Sequence, residues 1–161
     1  ISSELFYKNV AEAQPNYYLE EVLKKSACPV LLVPEDYNEP GQIILTYDGS
    51  ESSVFAIKQF AYVYPELTTK ETVLLSVTNT EDELPEYILI SELVSRHFSN
   101  LKIQTLHLKH QKDFTEWLSA KPDSFIVMGA FSRSLFSQLF KKSFAADVIH
   151  EIKMPIFISH K

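Results

Sequence analysis

The residues of this chain best placed to do chemistry gather around one glycine. Phe125-Ile126-Val127-Met128 is an apolar run that stops at Gly129. The loop that follows holds Ser132, Arg133 and Ser134, and Lys142-Ser143 then opens the helical stretch FAADVIHEI. A strand that ends in glycine and feeds a polar loop into a helix N-terminus is one way for a small α/β domain to make an anion site, because backbone N–H groups and the helix dipole converge there. A second polar strand end, Asp48-Gly49-Ser50, closes the run Ile43-Ile44-Leu45-Thr46-Tyr47. The chemistry these residues suit is the holding of a phosphate.

Other constellations are thinner. Ser50 lies in Asp-Gly-Ser-Glu, which lacks the second glycine of a nucleophile elbow. The five histidines, His97, His107, His110, His150 and His160, are scattered without the acidic or thiol companions of a metal site. With only 3 glycines in the chain, a P-loop is excluded. Cys28 has no second cysteine to pair with, which favours a reducing compartment and a cytoplasmic location. It precedes Pro29 at a strand start, where a small core residue is expected. Trp117 is expected to anchor the core. The net charge of -6 carries no Lys/Arg-rich run, which argues against a nucleic-acid partner and against an anionic membrane surface. No apolar run approaches the roughly 20 residues of a membrane span.

The elements that must position these residues alternate between strand and helix from Gln42 onward. Residues 43–47 suit a buried central strand. Ser52 or Ser53 is a candidate N-cap for a helix whose Val54, Ile57, Phe60 and Ala61 recur at helical spacing, and Pro65 marks its end. Residues 72–77 form the next strand. Residues 85–98 form a helix with Ile88, Leu89, Leu93 and Val94 on one face. Residues 103–108 alternate as an edge strand does, residues 113–120 form a short helix, and strands at residues 125–128 and 156–159 follow. This order predicts a largely parallel, five-stranded, Rossmann-like α/β sheet with strand order 3-2-1-4-5 and helices on both faces. In that order the first and fourth strands, which end at Asp48 and Gly129, are neighbours at the point where ligands bind such sheets.

The chain also repeats itself. Cys28-Pro29-Val30-Leu31-Leu32-Val33 lies over Met154-Pro155-Ile156-Phe157-Ile158-Ser159 at an offset of 155 − 29 = 126. The register holds without a gap: Leu19-Glu20-Glu21-Val22-Leu23 falls on Ala145-Ala146-Asp147-Val148-Ile149, and Ile1-Ser2-Ser3 falls on Val127-Met128-Gly129. Residues 1–34 therefore read as the closing strand-loop-helix-strand unit of a first domain. Residues 35–41, polar and carrying Pro40 and Gly41, read as a linker, and residues 42–161 as a complete second domain.

Taken together, the sequence resembles the universal stress protein family. Three stretches carry the likeness: Tyr47-Asp48-Gly49-Ser50-Glu51-Ser52 before a helix; Val127-Met128-Gly129 with Arg133 four residues on; and Ala145-Ala146-Asp147-Val148-Ile149 leading into Met154-Pro155-Ile156-Phe157-Ile158. The likeness implies a fold of the adenine nucleotide alpha hydrolase-like kind. It also implies a nucleotide motif of Gly, two residues, Gly, nine residues, Gly, then Ser or Thr. Here those positions are Gly129, Ser132, Lys142 and Ser143, so the spacing is intact and two glycines are replaced. Glycine permits close backbone approach and positive φ; a Ser or Lys forced into the left-handed region costs about 1–2 kcal/mol. By the same resemblance Asp48 sits by the ribose or adenine and the Val77 backbone faces the adenine edge. In the first copy, Ser3, Phe6, Asn16 and Tyr17 occupy the motif positions, and no nucleotide is expected there.

The expectation is a non-catalytic stress-response module with a degenerate nucleotide site and no cofactor. It associates through the last strand, residues 155–159, with the equivalent residues 29–33 or with another chain, since that edge needs covering. The alternative is a sensor that binds ATP or AMP in the cleft between the first and fourth strands.

Overall fold

The computed structural model describes residues 22, 25–34, 37–78, 86–107, 116–129 and 154–159. Six strands form one sheet: β1 (Val30–Leu32), β2 (Gln42–Thr46), β3 (Glu71–Thr78), β4 (Asn100–His107), β5 (Ser124–Gly129) and β6 (Ile156–Ser159). Their order is β1-β6-β5-β2-β3-β4. From β2 to β6 all neighbours run parallel, and β1 lies antiparallel against β6. The expected order 3-2-1-4-5 is therefore present as β4-β3-β2-β5-β6. The sheet has six strands rather than five because β1, which precedes β2 in the chain, extends it at β6.

The sheet separates two apolar layers. On one face Ile43 and Leu45 of β2, Tyr47 just beyond it, Leu74 of β3, Phe125 and Val127 of β5 and Phe157 of β6 meet helices α1 (Glu51–Val63) and α2 (Tyr87–His97). On the other face Val30, Leu32, Ile44, Val73, Leu75, Ile126, Met128, Ile156 and Ile158 pack with Leu118, and Trp117 joins them half-buried. The period-2 alternation of β2 and β5 thus fills both layers, as a central strand buried on both sides must. β5 and β6 are buried along their whole length.

α1 ends at Val63, and Pro65–Thr69 follows as a 3-10 turn. Phe60 is the helix's main core contribution. Its ring meets Phe125 and Phe157 edge-on at 5.2 and 5.5 Å between centroids and stacks with Phe98 at 6.4 Å. Burial of one such side chain is worth about 1.5–3 kcal/mol.

Three local expectations are corrected. The N-cap of α1 is Ser50, not Ser52 or Ser53, because the Asp48-Gly49 turn brings the Ser50 hydroxyl onto the Ser53 amide. α2 buries Ile90 and Val94, with Leu93 half-buried, while Ile88 is 77% and Leu89 63% exposed. Ile90 and Val94 are one turn apart and set the inward face; Ile88, two positions before Ile90, points to the opposite side of the helix. Cys28 is exposed rather than in the core. Burial of that segment begins two residues later, at Val30, and the Cys28 backbone is held outside by Ser26, whose hydroxyl donates to the Cys28 carbonyl at 2.7 Å.

β4 is the edge strand, longer than expected at Asn100–His107, with Leu101 and Ile103 packed inward. Gly41 and Gln42 both donate backbone N–H groups to the Asp123 carbonyl, at 2.9 and 3.3 Å, which fixes the entry of β2 beside that of β5. Before that entry, Glu39 pairs with Lys70 at 2.7 Å.

Candidate functional site

The carboxyl ends of β2 and β5 lie side by side. The two strands pair in parallel through Leu45 and Val127, and the Thr46 hydroxyl donates to the Val127 carbonyl at 3.0 Å across the seam. Thr46 is 3% exposed, and its bond ties the two strands together one residue below the mouth. Nothing in its spacing marked it beforehand; only the β2–β5 register reveals it.

Above Thr46 the chain turns sharply. Gly49 has φ 78, a left-handed conformation that glycine adopts without penalty. Asp48 accepts from the Ser50 amide at 3.1 Å and from the Ser50 hydroxyl at 2.6 Å through the same oxygen, Oδ1. The Ser50 hydroxyl in turn accepts from the Ser53 amide at 3.1 Å, and the Ser53 hydroxyl donates to the Ser50 carbonyl at 2.8 Å. Asp48 is thus a side-chain turn acceptor that positions the helix cap. A carboxylate at this point also faces the positive end of α1.

Gly129 lies against that same first helical turn. A Cβ added to it would stand 2.6 Å from the Ser52 carbonyl carbon and from the Ser53 nitrogen, and 2.7 Å from the Ser52 oxygen. Those atoms are backbone, so they cannot swing away as a side-chain tip could. Gly129 has a positive packing reason to be glycine: α1 sits directly on the end of β5.

Two further residues complete the described half of the mouth. Val77, half-buried, is one residue before the end of β3 and packs against the layer that holds Met128. Tyr47 is 1% exposed, on the α1 side, with its amide donating to the Leu75 carbonyl at 2.8 Å. Burial pushes the Tyr47 phenol above its ordinary value, and the carboxylates of Glu86 and Asp48 push the same way. Asp48, Val77 and Gly129 are therefore at the ends of three adjacent parallel strands. Ser132, Arg133, Lys142 and Ser143, together with Phe131, Phe136 and Phe140, lie outside the described residues.

Chemically, this half offers one carboxylate engaged in a turn, backbone at a helix N-terminus, and an apolar wall from Val77 and Met128. No group of three or more metal-ligating side chains occurs among the described residues, and none of their helices is long and apolar enough to cross a membrane.

No protein-family model matches the chain, and no curated protein matches it. Solved structures do. A universal stress protein in complex with cAMP superposes with a TM-score of 0.53 at 15% identity, over 76% of this chain and 99% of that one. A universal stress protein from Archaeoglobus fulgidus DSM 4304 superposes with a TM-score of 0.62 at 16% identity, over 88% of this chain. This chain spans 53% of the length of the Archaeoglobus structure. At such identities the likeness is one of fold: the chain has the universal stress protein fold.

Proposed function

We propose that this protein is a universal stress protein-like, non-catalytic module that acts through pairing of two copies of the fold, residues 1–34 being the closing unit of the first copy, and that its nucleotide site is degenerate. The observation that carries the reading is the antiparallel ladder between β1 and β6, in which Val30, Leu31 and Leu32 face Ile158, Phe157 and Ile156. That ladder covers the edge of a wholly buried, apolar strand with a segment from the other side of the linker. The close seat of α1 on Gly129 supports the second half of the reading, since it gives that glycine a role that needs no phosphate. The replaced glycines at positions 132 and 142 point the same way.

A nucleotide sensor is the second reading, favoured by one specific observation: Asp48, Val77 and Gly129 converge at adjacent strand ends, and a structure of the same fold is described as a complex with cAMP. Thermal unfolding with and without ATP–Mg²⁺, and separately with cAMP, separates the two. A nucleotide present at about 100 times its dissociation constant adds about 2.7 kcal/mol of stability and raises the midpoint by several degrees. The pairing reading expects no shift. A clear shift that disappears in Asp48→Ala replaces it with the sensor reading.

A further inference from the structure

The start of α2 departs in three ways from what a free helix end would choose, and all three fall on the consecutive exposed residues Glu86-Tyr87-Ile88-Leu89. Glu86, the N-cap, is left-handed at φ 48, a conformation that costs a residue with a Cβ about 1–2 kcal/mol. Among the described residues it is the one non-glycine with positive φ. Its side chain makes no capping bond to the helix, as Ser, Thr, Asp or Asn would at that position. The next three side chains are large and apolar, yet each is more than half exposed, Ile88 most of all. Successive helical residues are about 100° apart, so the three fan across the outer side of the first turn before Ile90 turns inward. One exposed apolar residue needs no explanation, but three in a row beside a strained, uncapped acid do.

The charge around this turn has one sign. No Lys or Arg occurs between Glu86 and Glu92, nor in α1 between Glu51 and Ile57. The first basic side chain along α2, Arg96, is already paired with Glu92. α1 and α2 cover the same face of the sheet. After burial, the carboxylates of Glu86 and Asp48 both raise the Tyr47 phenol, which puts Glu86 and Asp48 at the same end of that face. We propose that Glu86, Tyr87, Ile88 and Leu89 form a docking surface for a short peptide segment that sets Lys or Arg beside apolar side chains. The apolar turn receives the apolar side chains, while the acids around it attract the cations and turn away acidic partners. A second copy of this chain fits less well. It brings the same net charge of -6, and a stable pair needs about 20–30 residues a side. This surface depends neither on the β1–β6 ladder nor on a nucleotide.

The test presents the whole chain, isotope-labelled, with a fluorescent amphipathic peptide of leucine and lysine about 14 residues, or four turns, long. A peptide with glutamate in place of every lysine is the control. Fluorescence anisotropy gives the affinity, and amide chemical shifts give the place. The lysine peptide should bind, shift the amides of residues 86–92 most, and weaken as salt is added. Ile88→Ser combined with Leu89→Ser should reduce its affinity about tenfold or more. Both side chains are exposed, so the amide spectrum of the variant should otherwise match wild type. Glu86→Gln should cost about threefold with the apolar turn intact. Failure of the lysine peptide to bind overturns the inference. So does equal binding of the glutamate peptide, a largest shift elsewhere on the chain, or an affinity that the double variant leaves unchanged. Shifts at residues 86–89 that follow protein concentration without peptide assign the surface to a second copy and overturn it as well.

Discussion

Gly129 and Ser52 touch through backbone: the space where a Cβ of residue 129 would stand is 2.6 Å from the Ser52 carbonyl carbon. The end of β5 and the first turn of α1, the helix that follows the neighbouring strand β2, are thereby locked at a distance only glycine allows. The local sequence suggests a phosphate cradle, and the packing supplies a different cause for the same residue.

Gly129→Ala tests that cause. An added methyl group that meets main chain forces the helix off the strand, at a cost of about 1–3 kcal/mol. The gain from a stiffer unfolded chain is smaller, about 0.4–1 kcal/mol. The net effect is destabilising, and urea unfolding should show it equally with and without ATP. A neutral Gly129→Ala would mean that α1 moves freely on β5.

Ser50→Ala tests the cap. It removes the acceptor of the Ser53 amide and the donor to Asp48 together. The loss expected for a helix N-cap is about 1 kcal/mol. Ser50→Asn keeps an acceptor at the cap and should recover most of that loss. Equal destabilisation by both variants would place the effect in the Asp48 turn instead.

Acid should weaken one specific tie along the sheet. The Glu71 carboxyl is held below its ordinary value of 4.5, first by the hydrogen bond from Lys102, at 2.9 Å, and by that ammonium's charge, with Gln42 also donating to it at 3.0 Å. Because the folded value is the lower one, the contribution is fully present above the unfolded carboxylate range. It is lost as pH falls through the depressed folded value. Wild type should therefore be more stable than Glu71→Gln at pH 7 and low salt, and the gap should close as the solution is acidified below about pH 4.5. Both side chains are solvent-exposed, so added salt should shrink the gap as well. A gap of the same size at pH 3 would remove the ion pair from the explanation.

The parts of the fold that were legible in the sequence are those with a simple period. The run at residues 43–47 is apolar apart from Thr46, and residues 43–46 lie in a strand buried on both faces. Phe60 and Ile57 lie at helical spacing and face inward. The expected face of α2 holds at Val94 and Leu93 but not at Ile88 and Leu89, and it omits Ile90, because only the sheet beneath decides which stripe is covered. For the candidate site, the strand ends at Asp48 and Gly129 were readable because turn residues punctuate them. Thr46 was not, since a hydroxyl that bonds to a neighbouring strand's carbonyl leaves no mark in its own strand's pattern. Nor could glycine type alone distinguish room for a ligand from room for a helix.

The short strand at Val30–Leu32 has a practical consequence for anyone handling this protein. Trimming at residue 42, which sequence boundaries invite, strips the cover from Ile156–Ser159 and leaves a greasy ribbon with an unmet row of backbone donors. Such a shortened product should clump or find a mate of its own kind, and its behaviour would then reflect the knife rather than the native molecule.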